Sequence, residues 1–366
     1  MRGKEFERWE GGPMLESWRI KTAGFPFGRA RQRVRLVWLA MILLLCLSTS
    51  VQARHLVRVA TIGAVPPRLD DGLDYDQMVE RMIDFLRSEI EQVQLDEPDL
   101  IVLPEACDRP AGLSMRQQFA YFETRGSKVQ DFLANVARQN RCYIAFGTKR
   151  LDRDGLWRNS CVLLDRRGHV VGIYDKNYPT PDEMLAGIVA GNGAVVLETD
   201  FGRVGCAVCF DLNFDELRRE YAKLGPRLIV FPSMYHGGLV QAEWAYSCGA
   251  YFVASVGMKN LLSQIRNPFG EVVASSTNYF NYAVATLNLD YVLVHLDHNW
   301  NKLRALKKKY GQAVQIHDPG EIGVVMITSE CDTVTAVDMA AEFEIELAKE
   351  YFDRTRAVRL QPGRMK

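Results

Sequence analysis

The sequence lacks an excess of charge of either sign. It has 45 Lys plus Arg and 45 Asp plus Glu, so the formal net charge is zero over 366 residues. A neutral chain has no global field that favours nucleic acid, and a nucleic-acid partner is not expected. The chain also lacks a long Pro/Gly/Ser linker and a fixed-period repeat, which argues against tandem domains and solenoids. We therefore expect one main domain.

Cysteine and histidine are also few. The eight cysteines are irregularly spaced, unlike those of a small disulfide scaffold, and no pairing can be deduced from them. There are six histidines. His295 and His298 lie three positions apart without further Cys or His ligands nearby, which is more typical of a solvated loop than of a metal site. We expect no metal centre.

The longest apolar run lies near the N-terminus. Val37–Ala53 follows four arginines and ends in a small-x-small pattern, which predicts a secretory signal peptide cleaved after Ala53. The run is short for a spanning helix, which needs about 20 residues, but an uncleaved membrane anchor is the alternative. Residues 1–53 are therefore interpreted as an extension with a signal peptide or anchor, and the protein as periplasmic, secreted or membrane-anchored.

The remaining chain alternates strand and helix patterns. The apolar stretch His55–Val65 predicts a strand, Tyr75–Val93 has an apolar stripe at helical spacing, and another helix is expected over Lys128–Gln139. Such alternation, with some strands paired through turns, indicates a layered α/β or α+β protein built on mixed sheets. Residues 54–332 are assigned to this domain, and the charged, helical pattern of residues 333–366 predicts a C-terminal arm.

Three chemically reactive side chains stand where predicted strands end. The segment "LIVLPEA" delivers Glu105, "VVGIYDKNYP" delivers Lys176 and "VGCAVCFD" delivers Cys209. A thiol needs a base to take its proton, and a cation can stabilise the oxyanion that its attack creates. Each residue alone has an ordinary structural interpretation as a surface carboxylate, a solvated lysine or a buried thiol. Their combination favours nucleophilic catalysis.

Cys206 and Cys209 together also form a C-x-x-C pattern. In thiol oxidoreductases that motif opens a helix, whose N-terminus lowers the pKa of the thiol. Here both cysteines are expected to close an apolar strand, in which positions three apart point to opposite faces. Cys206 is therefore interpreted as a core residue.

Together these segments resemble the nitrilase superfamily, the carbon-nitrogen hydrolases with a Glu-Lys-Cys triad. The base motif "hhhPE" matches "DLIVLPEA" at Glu105, and the lysine segment matches "GIYDKNYP" at Lys176. The segment "VGCAVCFDLNFDEL" closely matches the family's nucleophile pattern G-x-x-I-C-[YF]-D-x-x-F-x-E, with Cys209 at the position of the nucleophile. Many members carry a second Glu after the Lys, which Glu183 resembles.

The resemblance implies a four-layer αββα sandwich and a cofactor-free mechanism. Cys209 would attack the substrate carbon, and Glu105 would take the thiol proton and return it to the leaving amine. Lys176 and the backbone N–H of Phe210 would hold the oxyanion, and Glu183 would help to position the substrate and the lysine.

The resemblance also suggests roles for three residues near the triad. Asp211 would hold the nucleophile turn through backbone hydrogen bonds, whereas Tyr235 and His236 are candidates for the pocket wall. Asn213 and Asp215 replace the Arg and Pro that are common in the family motif, which leaves the pocket undefined. The expected substrate is a small amide or N-carbamoyl compound, with a nitrile less favoured.

Two other functions share this set of residues. An N-acyltransferase would use the same triad with an amine in place of water, and a non-catalytic binding module would retain the fold without turnover. Family members commonly pair through a C-terminal region, so we expect a homodimer or higher homo-oligomer, for which the segment Glu342–Val358 is a candidate.

Overall fold

The β-branched and apolar runs of the sequence form strands. The structure is a computed structural model, and it describes residues 55–70 and 72–360. The strands in chain order are β1 (Leu56–Ile62), β2 (Leu100–Val102), β3 (Tyr143–Leu151), β4 (Trp157–Leu164), β5 (Val170–Asp175), β6 (Val196–Thr199), β7 (Gly202–Cys206), β8 (Leu228–Ser233), β9 (Tyr251–Val256), β10 (Gln264–Arg266), β11 (Val272–Ser275), β12 (Tyr282–Asn288), β13 (Tyr291–His295), β14 (Val314–His317) and β15 (Val324–Ser329).

Helices alternate with these strands, as the pattern predicts. They are α1 (Tyr75–Gln94), α2 (Met115–Arg125), α3 (Lys128–Asn140), α4 (Pro181–Leu185), α5 (Asp215–Leu224), α6 (Leu239–Cys248), α7 (Trp300–Tyr310), α8 (Ala336–Glu342) and α9 (Ala348–Arg359). The start of α1 is fixed by a capping box, in which the Asp74 side chain accepts from the backbone N–H of Gln77.

Two six-stranded sheets have matching designs. The first has the order β12-β1-β2-β3-β4-β5, and the second has the order β11-β10-β9-β8-β7-β6. In each sheet the three central strands are parallel, β1-β2-β3 in the first and β7-β8-β9 in the second, and the outer strands are antiparallel. Because parallel strands end at the same edge, this design gathers strand-end residues together.

The two sheets pack face to face between two layers of helices. Residues of both sheets share one apolar core, and β1 and β9 are also joined by side-chain hydrogen bonds, such as that from Ser255 Oγ to the Ile62 carbonyl at 2.7 Å. Helices α1, α2 and α3 cover the first sheet. Helices α5 and α6 cover the second, where the Tyr221 ring packs against Gly205. The predicted four-layer αββα sandwich is confirmed.

The C-terminal region differs from the predicted arm. From Tyr291 onward the chain builds a third sheet of order β13-β15-β14, which the sequence pattern did not indicate. Helix α8 packs on this sheet, with Ala336 and Met339 in the same core as Val292 and Val294. Residues 291–360 form one packed unit, here called the C-terminal unit. The boundary expected at residue 333 falls inside it, because α8 buries its apolar face against this sheet.

The predicted signal peptide or anchor lies outside the described residues, as do its apolar run Val37–Ala53 and the expected cleavage site. Within residues 55–70 and 72–360, no helix is both long and apolar enough to cross a membrane.

Candidate active site

Glu105 stands just beyond β2, at the edge where the parallel strands end. The Leu103 N–H donates to the Ala145 carbonyl at 2.8 Å and the Gly147 N–H to the Pro104 carbonyl at 3.2 Å, so the segment continues alongside β3. A Cβ at Gly147 would come within 2.5 Å of Glu105 Cα. The close approach therefore needs glycine, and it fixes a carboxylate whose side chain is 7% exposed.

Lys176 directly follows β5 and reaches the Glu105 carboxylate. Its Nζ lies 3.0 Å from Glu105 Oε1 and 2.9 Å from Glu183 Oε2. Burial disfavours the ammonium ion, but the charges of Glu105 and Glu183 outweigh it and raise the pKa of Lys176 above its usual value. The lysine is therefore a fixed positive charge beside the base.

Glu183 is held at the start of the short helix α4. Thr180 caps this helix in a capping box, and its N–H donates to Glu183 Oε2 at 2.9 Å. Burial opposes ionisation of Glu183, but the neighbouring Lys176 charge outweighs it and lowers the pKa of Glu183 to about 2. The carboxylate thus stays charged and, together with Glu105, holds the lysine in place.

Cys209 lies beyond the end of β7 and is the first residue of a short 3₁₀ helix, Cys209–Asn213. Its φ is 49°, a left-handed conformation that costs a non-glycine residue roughly 1–3 kcal/mol. Burial and then the Glu105 carboxylate raise the pKa of the Cys209 thiol to about 12, while Lys176 opposes them. The resting pair is therefore a neutral thiol beside a carboxylate.

The position of Cys209 corrects one expectation. Both cysteines of the C-x-x-C pattern were expected to close the strand, but only Cys206 does, because the chain turns sharply after it. Cys206 is fully buried in the core shared by the sheets, where it neighbours Cys161, whereas Cys209 is partly exposed. The two thiols therefore lie in different environments.

Asp211 is placed where it can hold the nucleophile turn. Its carboxylate accepts from the Val208 N–H at 2.9 Å, the Tyr178 N–H at 2.8 Å and the Tyr174 hydroxyl at 2.7 Å. Burial raises the pKa of Asp211 to about 6, against these three donors. The buried carboxylate joins the turn to the segment that carries Lys176.

Two aromatic residues lie beside the nucleophile. Phe210 supplies the backbone N–H that follows Cys209, and its ring packs edge-on to Phe214 at 5.4 Å between centroids. Tyr235 follows β8, and its hydroxyl is buried. Burial, followed by the nearby Cys209, raises the pKa of Tyr235 to about 12. Both residues are thus brought to the triad.

His236 has its contacts on another side of the loop. Its Nδ1 accepts from the Gly238 N–H at 3.0 Å, and burial, against a hydrogen bond with Gln264, lowers the pKa of the imidazole. These partners belong to the start of α6 and to β10. The structure thus gives His236 a loop-shaping position, whereas Tyr235 faces Cys209.

Three further residues of the site carry no motif signal. Asn159 on β4 is 1% exposed, and its Nδ2 lies 2.7 Å from Oε1 of both Glu105 and Glu183. Lys149 Nζ on β3 lies 3.6 Å from Glu183 Oε1. Arg109 follows Glu105 in the same loop, and Glu105 and Glu183 are among the charges that act on it. Strand alternation alone does not show which sheet position faces the triad, so their role emerges only from tertiary contacts.

His295 and His298 do not form a site with the triad. The His295 ring stacks on Tyr351 of α9, with centroids 4.0 Å apart. His295 thus packs in the C-terminal unit, at the end of β13.

Comparison with known proteins agrees with this geometry. The sequence model of the carbon-nitrogen hydrolase family matches residues 58–293, a range that includes the whole triad. The chain belongs to the carbon-nitrogen hydrolase family. The resemblance to the nitrilase superfamily that the motifs indicated is thereby confirmed.

Individual relatives are distant. Omega-amidase NIT2 of Danio rerio is 23% identical over 219 residues, which cover 53% of this chain and 77% of that protein. Hydrolase C26A3.11 of Schizosaccharomyces pombe is 22% identical over 201 residues, which cover 49% of this chain and 62% of the yeast protein. The chain therefore spans less than two thirds of that hydrolase.

Solved structures share the fold. Nit3 of Saccharomyces cerevisiae, a member of branch 10 of the nitrilase superfamily, has a TM-score of 0.54 at 20% identity over 66% of this chain and 92% of its own. An amidase from Nesterenkonia sp. has a TM-score of 0.55 at 18% identity over 70% of this chain and 98% of its own. At these identities the similarity establishes the fold.

Proposed function

We propose that the protein hydrolyses the amide bond of a small molecule through an acyl-enzyme on Cys209. The observation that carries this proposal is the contact of Lys176 Nζ with the Glu105 carboxylate at 3.0 Å, both beside the Cys209 thiol. Family membership supports amide hydrolysis in general, and relatives named as amidases and omega-amidases support a small amide substrate.

The first step begins from the neutral thiol. As the sulfur attacks the substrate carbonyl carbon, the Glu105 carboxylate takes the thiol proton, so that a free thiolate is never required. A thiol whose pKa is raised to about 12 is a poor nucleophile without this base. Lys176 and the Phe210 N–H stabilise the oxyanion, because their positions are fixed before charge develops there.

The second step releases the products. Glu105 returns its proton to the departing amine, which leaves as ammonia or a primary amine while the acyl group stays on Cys209. Glu105 then activates a water that attacks the thioester carbon, and the acid is released with the thiol restored. In a Glu-to-Gln mutant of the amidase from Nesterenkonia sp., which shares this fold, acrylamide has undergone Michael addition at the active-site cysteine, and this supports a reactive cysteine here as well.

Hydrolysis and acyl transfer differ only in the acceptor. Both are tested by incubating the protein with a panel of small amides and N-carbamoyl compounds, and by measuring released ammonia and the acid formed. With a primary amide, hydrolysis predicts equal amounts of ammonia and acid in water. If the acid appears only as an amide or hydroxamate when an amine or hydroxylamine is added, the protein is an acyltransferase.

The matched controls separate catalysis from folding. Cys209→Ala should release no ammonia, whereas Cys331→Ser, which alters a partly exposed thiol of the C-terminal unit, should retain the full rate. A folded protein that releases neither ammonia nor an amine from any member of the panel would contradict the proposal and favour a binding module.

A further inference from the structure

Asn159 touches three residues of the site although no motif marks it. We propose that Asn159 is a positioning residue for the base, and that its amide directs the proton of the Cys209 thiol to Oε2 of Glu105. The inference rests on the proposed function of Glu105 as general base. It adds a residue and an atom that the triad alone does not specify.

The contacts of Asn159 are made by both its side chain and its backbone. Its Nδ2 lies 2.7 Å from Oε1 of Glu105 and 2.7 Å from Oε1 of Glu183. Its carbonyl oxygen accepts from the backbone N–H of Lys176 at 2.8 Å. One residue of β4 therefore ties the base, the lysine and the second carboxylate together.

The orientation of the amide follows from its neighbours. A carboxamide NH₂ has two hydrogens, and here each is donated to a carboxylate oxygen. The reversed amide would place its oxygen against two carboxylates, which is repulsive. Within the described chain, Asn159 Oδ1 is buried without a hydrogen-bond partner. The two carboxylates thus set the orientation of the Asn159 amide, and its side-chain carbonyl is left without a hydrogen bond in the described chain.

This arrangement distinguishes the two oxygens of Glu105. Oε1 already accepts from Asn159 Nδ2 and from Lys176 Nζ, so a proton on it would displace a donor. Oε2 accepts neither of these donors, and it is therefore the oxygen that we assign to the thiol of Cys209, which neighbours the Glu105 side chain. During attack the S–H bond breaks and an O–H bond forms at Oε2. The sulfur electron pair forms the bond to the carbonyl carbon, and the carbonyl π pair moves to oxygen.

The inference predicts a pH effect in Asn159→Ala. Without the Asn159 donor, the charged form of the base is less favoured, so the acid limb of the kcat/KM profile should move to higher pH by about one unit. At a pH below the acid limbs of both wild type and variant, the variant should be roughly tenfold slower. Asn159→Asp should move the acid limb further, because a third carboxylate joins the pair. KM should change less than kcat, since both hydrogens of this amide are already donated to carboxylates.

Asn159→Ser gives a second variant that keeps one donor, and its limb should lie between those of the wild type and Asn159→Ala. Asn299→Ala is the matched control, because Asn299 is also 1% exposed and also has a buried Oδ1 without a partner in the described chain, but lies in the C-terminal unit. Its pH profile should equal that of the wild type. An unmoved acid limb in folded Asn159→Ala or Asn159→Ser, or an equal shift in Asn299→Ala, would overturn the inference.

A substrate-independent measurement separates this inference from the proposed function. The rate at which iodoacetamide alkylates Cys209 can be followed by mass across pH in the same variants. Its acid limb should shift upward as described, even if no amide in the panel is hydrolysed. If the protein hydrolyses an amide but the Asn159 variants show no shift in the acid limb of alkylation, only the role of Asn159 is contradicted. If that limb shifts but no amide is hydrolysed, only the hydrolase proposal is contradicted.

Discussion

At the scale of single residues, the ionised side chains of the site stabilise one another. Lys176 is enclosed by two carboxylates, and Glu183 has its pKa lowered to about 2 chiefly by this lysine, against burial. Neutralising one carboxylate removes a partner from a buried ammonium ion, whose desolvation then opposes folding. The charges of the site therefore contribute to stability as well as to chemistry.

Glu183→Gln tests this coupling through stability. Glu183 has a folded-state pKa below the unfolded value of 4.5, so its stabilisation is fully present above pH 4.5 and is lost as the pH falls toward 2. We expect the variant to be less stable than the wild type by about 2–3 kcal/mol at pH 7. The difference should shrink between pH 5 and pH 3.

Urea unfolding at several pH values measures this difference. Glu198→Gln is a suitable control, because Glu198 pairs with Arg203 at the surface, where its side chain is 75% exposed, and surface pairs contribute little. A difference between wild type and Glu183→Gln that stays constant from pH 7 to pH 3 would contradict the coupling.

The triad residues could be predicted from sequence because each follows a recognisable apolar strand within a motif. Lys149 and Asn159 could not, since they lie inside strands β3 and β4 and resemble any polar residue there. Their importance depends on the contact between these strands and α4, which brings Glu183 to them. Tertiary placement, and not local pattern, defines this part of the site.

At the scale of elements, the end of β2 is fixed by its contact with β3. The close approach at Gly147 leaves no room for a side chain, because a Cβ would lie 2.9 Å from the Pro104 carbonyl oxygen as well as close to Glu105. Backbone atoms cannot yield as a flexible side chain can. The position of the base thus depends on one glycine of the neighbouring strand.

Gly147→Ala should therefore lower both stability and activity. We expect destabilisation of about 1–3 kcal/mol from overpacking and a fall in kcat of roughly tenfold or more, because Glu105 is displaced from Cys209. Thermal unfolding and ammonia release measure the two effects. Gly72→Ala is the control, since nothing lies within 4 Å of a Cβ at that position; equal behaviour of the two variants would contradict the steric explanation.

Helices and strands of the sandwich were largely predictable from periodicity. The helix expected over Tyr75–Val93 is α1, and that expected over Lys128–Gln139 is α3. The third sheet was not predictable, because its short strands β13 and β14 are separated by α7 and carry no turn signal that pairs them. Their pairing is set by β15, which contacts both.

At the scale of the whole molecule, helix α8 of the C-terminal unit packs on the third sheet. Met339 of α8 is completely buried in the core of the third sheet. The backbone N–H of Ala336, at the start of α8, donates to the Asp290 carboxylate at 3.1 Å. These contacts join α8 to the chain that follows the sandwich.

Met339→Ala tests whether this packing matters for stability. Removing a fully buried side chain should lower the free energy of unfolding by about 2–5 kcal/mol. Val337→Ala on the same helix is the control, because Val337 is 49% exposed, and it should change stability by less than about 1 kcal/mol. Equal melting temperatures for the two variants would show that α8 is an independent arm.

Export and self-association remain predictions for the whole molecule. The apolar run Val37–Ala53 lies outside the described residues. The N-terminal residue of the purified mature protein tests the predicted cleavage directly. Arg54 at that position would indicate cleavage, whereas retention of the run in a membrane fraction would indicate an anchor. The oligomeric state expected from the segment Glu342–Val358 is tested by sedimentation.

Intact-mass spectrometry of an acid-quenched reaction tests acyl-enzyme formation most directly. With an amide that releases ammonia, the wild type should carry an adduct of the acyl mass on the peptide that contains Cys209, Cys206→Ala should carry the same adduct, and Cys209→Ala should carry none. An adduct that persists in Cys209→Ala, or ammonia release by that variant at the wild-type rate, would contradict Cys209 as the nucleophile.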